Sequence, residues 1–465
     1  MSQSQPVIYP YIPNSTPKMK QEMLEELGLS EAEQLFSAIP AELRLHRPLN
    51  LPAPLLSEFS LSQHVGKILS KNISTEDCVS FLGAGCYRHF IPAVCDEVNS
   101  RNEFLTAYSG KAYEDHGRWQ ALFEYASMMG DLLNMEVVNL PTYDGLQAAA
   151  TAMRMAANIT KRKEILISGA IQPEKLSKIR EYNGHLFGFK MIDFDPKTGL
   201  IDLARLKLAL TSQTAAIYFD NPNFFGVIET EGQAIADLAH QNGALCIVGA
   251  DPISLGMLTP PADYGADLVC GDIQSLGIHP QFGGGQAGYI ASRDEEKYVL
   301  EYPNRILGLV PTKVAGEYGF GEVAAERTSF YARENGKEWV GTMANLWAIT
   351  AGVYLALMGP QGMAEVGTAI AQRVEYAIQK LAELPGVAIH FPGAAHFREF
   401  LVDFSGSGKT VSEINAALLE RGIFGGVDLS RDFPQFQQHA LYCVTEIHTR
   451  DDIDHLVSAL AEVLA

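Results

Sequence analysis

The 465-residue sequence predicts an α/β protein built on a mostly parallel sheet, with a smaller α/β unit at its C-terminal end. Two patterns predict it. From about Met135, short apolar runs alternate with amphipathic helical segments, the signature of strands covered on both faces by crossover helices. Beyond about Pro303 this alternation turns irregular, a long helical stretch follows, and a second strand–helix set closes the chain.

The first part, residues 1–110, reads as an N-terminal arm. "TPKMKQEMLEELG" and "SEAEQLFSAI" are short helices with N-cap residues Thr16 and Ser30. "ELRLHRPLNLPAPL" is too proline-rich for a helix or a central strand, so an extended segment that wraps a neighbouring subunit or its own main domain is expected. Helix returns in "LSQHVGKILSKN", and "DCVSFLGAG" ends in a glycine turn.

Residues 111–335 form the expected large domain. Its strands are "MEVVNL", "EILIS", "FKMIDFD", "AAIYFD", "ALCIVGAD", "ADLVCGD" and "AGYIAS". Between them lie the alanine-rich helix "DGLQAAATAMRMAANI", then "PEKLSKIREYNG" with proline at its start and glycine at its end, "DLARLKLAL" and "EGQAIADLAHQNG". Residues 336–465 supply a bridging helix, "MANLWAITAGVYLALMG", and the small domain: strands "FREFLVDFS" and "ALYCVTEI", helices "VSEINAALLERG" and "RDDIDHLVSALAEVLA".

Composition narrows the function classes. With 35 Lys+Arg against 55 Asp+Glu the net charge is −20, which disfavours nucleic acid and anionic membranes as partners. No apolar run approaches the roughly twenty residues of a membrane span, and the start lacks the apolar core of a secretory signal. Six scattered cysteines without a C-x-x-C pair read as reduced thiols of a cytoplasmic protein. The twelve histidines fall singly, with no helical ligand pair, so no metal is expected.

The turns after the strands are unusually polar: "TYDG", "SGAIQP", "DNPNFFG", "ADPIS" and "GDIQS". In open α/β sheets ligands bind beyond the carboxyl ends of strands, so these turns outline a site. The run Gly283 to Gly285 admits two readings, a backbone cradle for phosphate or a simple turn between strands. "FLGAG" is no dinucleotide fingerprint, lacking the third glycine. His116 and His279 are candidate acid–base groups or hydrogen-bonded loop residues. Arg327 and Arg333 are candidate carboxylate or phosphate contacts, with surface ion pairing as the alternative.

Several ordered fragments carry a resemblance. "FLGAG" followed by "IPAV", then "EFLTAY", "QALFEY", "YDG", "DNPNFFGVIE", "DPISLGMLTPPADYGADLVCGD", "VYLALMGPQG", "GGVDLSRDFP" and "ALYCVTEIHTRDDIDHLV" together resemble the alpha-type subunit of two-subunit glycine decarboxylase, the P-protein of the glycine cleavage system. The resemblance runs end to end. It implies a fold type I, pyridoxal-phosphate transferase-like architecture and a partnership with a catalytic beta-type subunit (subunit 2) that carries pyridoxal phosphate on its own lysine. It further implies transfer of an aminomethyl group to the lipoyl arm of the H-protein, and an α2β2 assembly or a homodimer. Such a subunit binds no cofactor covalently.

The residues agree with that expectation. No lysine lies between Lys207 and Lys297, and the resemblance implies that Gln274 in "GDIQSLG" occupies the position of the imine-forming lysine. A carboxamide cannot form an imine. Asp251 stands where an acid would meet the pyridine nitrogen, or serves as a turn residue capping amides. Gln172 takes the place of a ring-stacking histidine, and Asp144 and Asn221 complete the degenerate site implied by the resemblance. Loops 109–117 and 338–344 depart from the family pattern. They leave open a divergent stand-alone relative that binds an amino acid or pyridoxal derivative non-covalently, or acts as a scaffold.

Overall fold

The computed structural model describes residues 8–9, 11–45, 47–105, 117–303, 305–337 and 344–465. His116 and most of the two departing loops, 106–116 and 338–343, lie outside the described residues. The described chain falls into two compact units that part between Ile73 and Ser74.

In the first unit, helix α1 (Pro17–Glu26) starts as its sequence requires: Thr16 Oγ1 accepts from the Met19 amide and Pro17 opens the helix. The second segment departs from expectation. It is a 3-10 helix, Ala32–Phe36, capped by Glu31 rather than Ser30. Gln34 Oε1 collects the amides of Ser30 and Glu31, which shifts the start by one residue. Helix α2 (Glu58–Leu69) is capped by Ser57. Neither α1 nor α2 buries a single residue.

The second unit opens with β1 (Val79–Ser80), α3 (Ala93–Asn99), α4 (Asn102–Leu105) and α5 (Gly117–Leu133). Then come β2 (Val137–Val138), α6 (Gly145–Thr160), β3 (Glu164–Ser168), α7 (Pro173–Asn183), β4 (Gly188–Ile192), α8 (Leu203–Ala209) and β5 (Thr214–Asn221). The domain continues through α9 (Gly232–Asn242), β6 (Leu245–Ala250), β7 (Leu268–Asp272), β8 (Gly288–Ser292) and α10 (Glu296–Val299). Its seven-stranded sheet has the order β2-β8-β7-β6-β5-β3-β4, parallel except that β8 runs against both neighbours. The alanines of α6 are the reason this helix lies so close to the sheet: Ala148, Ala149, Ala150, Ala152 and Ala156 are fully buried.

Where the sequence pattern is irregular the structure forms an antiparallel hairpin, β9 (Leu307–Pro311) with β10 (Tyr318–Glu322), followed by α11 (Ser329–Ala332). Glycines at alternate positions of β10 hide the strand signal. The bridging helix α12 (Ala344–Ala382) runs well past the expected end. Gly359 (φ 58°) and Pro360 kink it, and the helix resumes beyond them.

The small domain adds β11 (Ala388–Ile389), β12 (Glu399–Asp403), α13 (Val411–Leu419), β13 (Ile423–Phe424), β14 (Val427–Asp428), β15 (His439–Cys443) and α14 (Arg450–Leu464). Strands β11-β12-β15-β14 make an antiparallel sheet, while β13 pairs in parallel with β1. One contact fixes where β12 meets the large sheet. The Phe397 amide donates to the Gly226 carbonyl at 2.9 Å, and a Cβ built at Gly226 (φ +77°) would stand 1.7 Å from the Glu399 carbonyl oxygen. Only glycine fits there. Arg398 and Glu399 are thereby held over the carboxyl ends of β5 and β6.

Candidate functional site

Polar turns beyond β3, β5, β6 and β7 converge on a cavity of about 130 Å³, lined also by residues 397–399 and by Gly85 and Tyr87. Its base is shaped by glycine: a Cβ at Gly249 would meet Asp220 Oδ1 at 1.9 Å, and one at Gly271 would meet the Ala250 carbonyl at 2.2 Å.

Three residues singled out in the sequence line this cavity: Gln172, Asp251 and Gln274. Gln274 is 3 % exposed and committed on both ends. Its Nε2 donates to the Ile278 carbonyl at 2.8 Å, and its Oε1 accepts from the Tyr87 amide at 3.4 Å. Gln172 Nε2 donates to the Ala84 carbonyl at 2.9 Å. Asp251 forms an ion pair with Arg398 Nη2 and accepts from the Ile253 amide at 3.0 Å.

Asp144 sits at the rim as the N-cap of α6, accepting from the Gln147 amide at 2.6 Å. Asn221 does not line the cavity. Its carboxamide accepts from the Glu229 amide and donates to the Tyr264 hydroxyl, so it shapes the loop after β5. Arg327 is buried elsewhere, donating to the Tyr302 carbonyl at 3.3 Å, and Arg333 is exposed with φ 51°. His279 lies outside the cavity, against Asp96 at 3.0 Å. Gly283 to Gly285 form a turn whose amides bond to Pro280 and Gln281 carbonyls.

The structure adds charged residues that sequence reasoning missed. Lys175, in the first turn of α7, points its ammonium into the cavity and pairs with Asp220 at 2.9 Å. Burial opposes its charge, but the Asp220 carboxylate outweighs burial and holds the amine above its ordinary value. Lys175 is therefore an ammonium ion and no nucleophile. The spacing gave a signal: Lys175 follows the turn residue Gln172 by three, which puts both on the same end of one helix.

Arg398 and Glu399 come from the small domain, far away in sequence. The Arg398 guanidinium is 4 % exposed and lies 4.0 Å over the Tyr87 ring. Burial opposes its charge too, and the Asp251 carboxylate raises it. Glu399 accepts from the Ala84 amide at 2.6 Å and from the Tyr87 hydroxyl at 2.9 Å. Burial pushes its carboxyl up to about 7. Asp272, at the end of β7, is likewise pushed up to about 7 by burial, although the amides of Gln274 and Gly145 bond to it at 2.7 and 2.8 Å.

These residues do not fit pyridoxal phosphate. The one lysine that lines the cavity among the described residues is tied to Asp220, and the turn position holds a carboxamide. The acid at Asp251 is already matched with a guanidinium, leaving no carboxylate free for a pyridine nitrogen. The N-terminus of α6, which offers amides to an anion, is closed by the chain's own carboxylates: Asp272 on Gly145 and Asp144 on Gln147. Among the described residues no cluster of His, Cys, Asp or Glu could hold a metal, and no helix is long and apolar enough to cross a membrane.

A large mixed sheet with its cavity at the strand ends, covered by a small C-terminal domain, defines a fold type I transferase. The NifS-like protein of Rickettsia africae shares this fold, with TM-score 0.60 at 15 % identity over 83 % of this chain and 99 % of that one. Residues 10–460 match the glycine cleavage system P-protein, and the chain belongs to that family. A crystal structure of glycine decarboxylase (P-protein) in inhibitor-bound form superposes with TM-score 0.85 and 31 % identity, covering 98 % of this chain and 100 % of that one. A probable glycine dehydrogenase (decarboxylating) subunit 1 of Geobacillus kaustophilus is 38 % identical over 98 % of this chain and 99 % of its own.

Proposed function

We propose that this chain is the alpha-type subunit (subunit 1) of a glycine dehydrogenase (decarboxylating), acting with a beta-type subunit that carries pyridoxal phosphate. The observation behind this reading is Gln274: a buried, doubly bonded carboxamide at the turn after β7, in a cavity whose charges are matched internally. Such a cavity captures no aldehyde covalently. Its role is to hold a fold that walls off the partner's catalytic chamber, removing water and strengthening the charge contacts inside it. Transfer of the aminomethyl group to the lipoyl H-protein, an α2β2 assembly and a cytoplasmic location belong to the same reading.

The test is reconstitution. The chain alone is expected to be colourless and inactive. Mixed with a subunit 2 chain, it is expected to support glycine–bicarbonate exchange, and activity of either chain alone at the level of the mixture would contradict the proposal.

A further inference from the structure

We infer that a second groove of this chain, between α5 and the β9–β10 hairpin, is the docking site for a segment of the companion subunit that carries aliphatic side chains and a lysine or arginine. The inference rests on the subunit reading above. It adds where the companion is gripped and by what chemistry.

This groove is separate from the strand-end cavity. Asp294 in its wall follows Ser292, which pairs with Leu268 at the first residue of β7, so the groove lies at the amino end of the sheet. It encloses about 650 Å³. Val138, Ile306 and Leu307 supply buried apolar lining, and Phe123 of α5 and Leu309 of β9 supply lining open to solvent.

The hairpin beside it has an unfinished face. Leu309 lies opposite Phe320, and Pro311 opposite Tyr318, so these four side chains share one face of the ribbon. Phe320 packs on Phe123, with ring centroids 5.4 Å apart. Beyond that contact Leu309 and Tyr318 are still 54 % and 67 % exposed. A two-stranded ribbon gains stability only from what its apolar face packs against, and here the packing stops halfway.

Charge sets the partner. Among the described residues the charged lining is Asp131, Glu136 and Asp294, with no lysine or arginine. The last turn of α5, the negative end of its dipole, lies in the same wall. Arg293 pairs with Glu136 at 2.9 Å and so offsets one of the three carboxylates. A second copy of this chain, itself at −20, is repelled from such a groove, whereas a companion segment with a basic side chain is drawn in.

Calorimetry of the full chain with a subunit 2 chain, with glycine–bicarbonate exchange as a parallel readout, tests this. Leu309→Asp and Asp131→Lys alter exposed side chains, so urea midpoints are expected to stay at the wild-type value. Each is expected to weaken the complex by roughly tenfold or more, the weight of an interface anchor or a close charge contact. Leu208→Asp, at an 85 % exposed position on α8, is the control expected to leave the affinity unchanged. Wild-type affinity in either groove variant, with exchange intact, would overturn the inference and leave the subunit role standing. Losses confined to self-association of this chain, read by sedimentation, would also overturn it and make a second copy the occupant. A mixture that neither forms a complex nor exchanges would remove the subunit role and the inference with it.

Discussion

Arg398 pairs with Asp251 across the carboxyl end of β6, and so a residue of the small domain neutralises the acid of the large sheet. Beside it, Lys175 pairs with Asp220 at the end of the neighbouring strand β5. These two matched pairs, with Gln274 in the adjacent turn, set the charge pattern of the cavity.

Breaking one pair exposes its worth. Asp251→Asn leaves the Arg398 guanidinium buried without a counter-charge, and removal of one partner from a buried pair costs about 3–5 kcal/mol. Chemical denaturation is expected to show a loss of that size. A change near that of a surface substitution would mean that Arg398 reaches solvent.

The raised carboxyls predict a pH dependence. Glu399 titrates at about 7 in the folded chain against an ordinary 4.5, because burial disfavours its charge. The folded state thus binds this proton more tightly than the unfolded state. Its contribution is fully present below the ordinary value and is lost as the pH rises through about 7. Glu399→Gln stays neutral throughout. Urea denaturation is expected to show the wild type losing stability between about pH 5 and pH 8 by more than the variant, a difference on the order of a few kcal/mol. Parallel curves would contradict it.

Gly226 sits where the sheet and the small domain approach most closely. Gly226→Ala sets a Cβ against the Glu399 backbone at a left-handed position, so both sterics and conformation oppose it. A loss of more than about 2 kcal/mol in thermal or urea unfolding is expected. A variant as stable as wild type would show that the junction relaxes freely.

Much of this was legible in the sequence, and the reasons are physical. The seven sheet strands and their helices follow periodicity and turn chemistry, which are local. Gln274 was legible because an amine's absence is chemistry that needs no geometry. Arg398 and Glu399 were not, since the chain entering β12 meets the large sheet through long-range contacts, the close fit at Gly226 among them. Lys175 had one local signal, its spacing of three from Gln172, and the direction of α7 places its ammonium in the cavity. The hairpin of β9 and β10 was hidden by glycines.

The central claim is that covalent capture of pyridoxal phosphate belongs to a companion chain. Borohydride reduction of the assembled two-chain complex, followed by peptide mass spectrometry, tests it most directly. The pyridoxyl label is expected on a lysine of the companion and on none of this chain's residues. A label on Lys175, or on any other side chain of this molecule, would contradict the account.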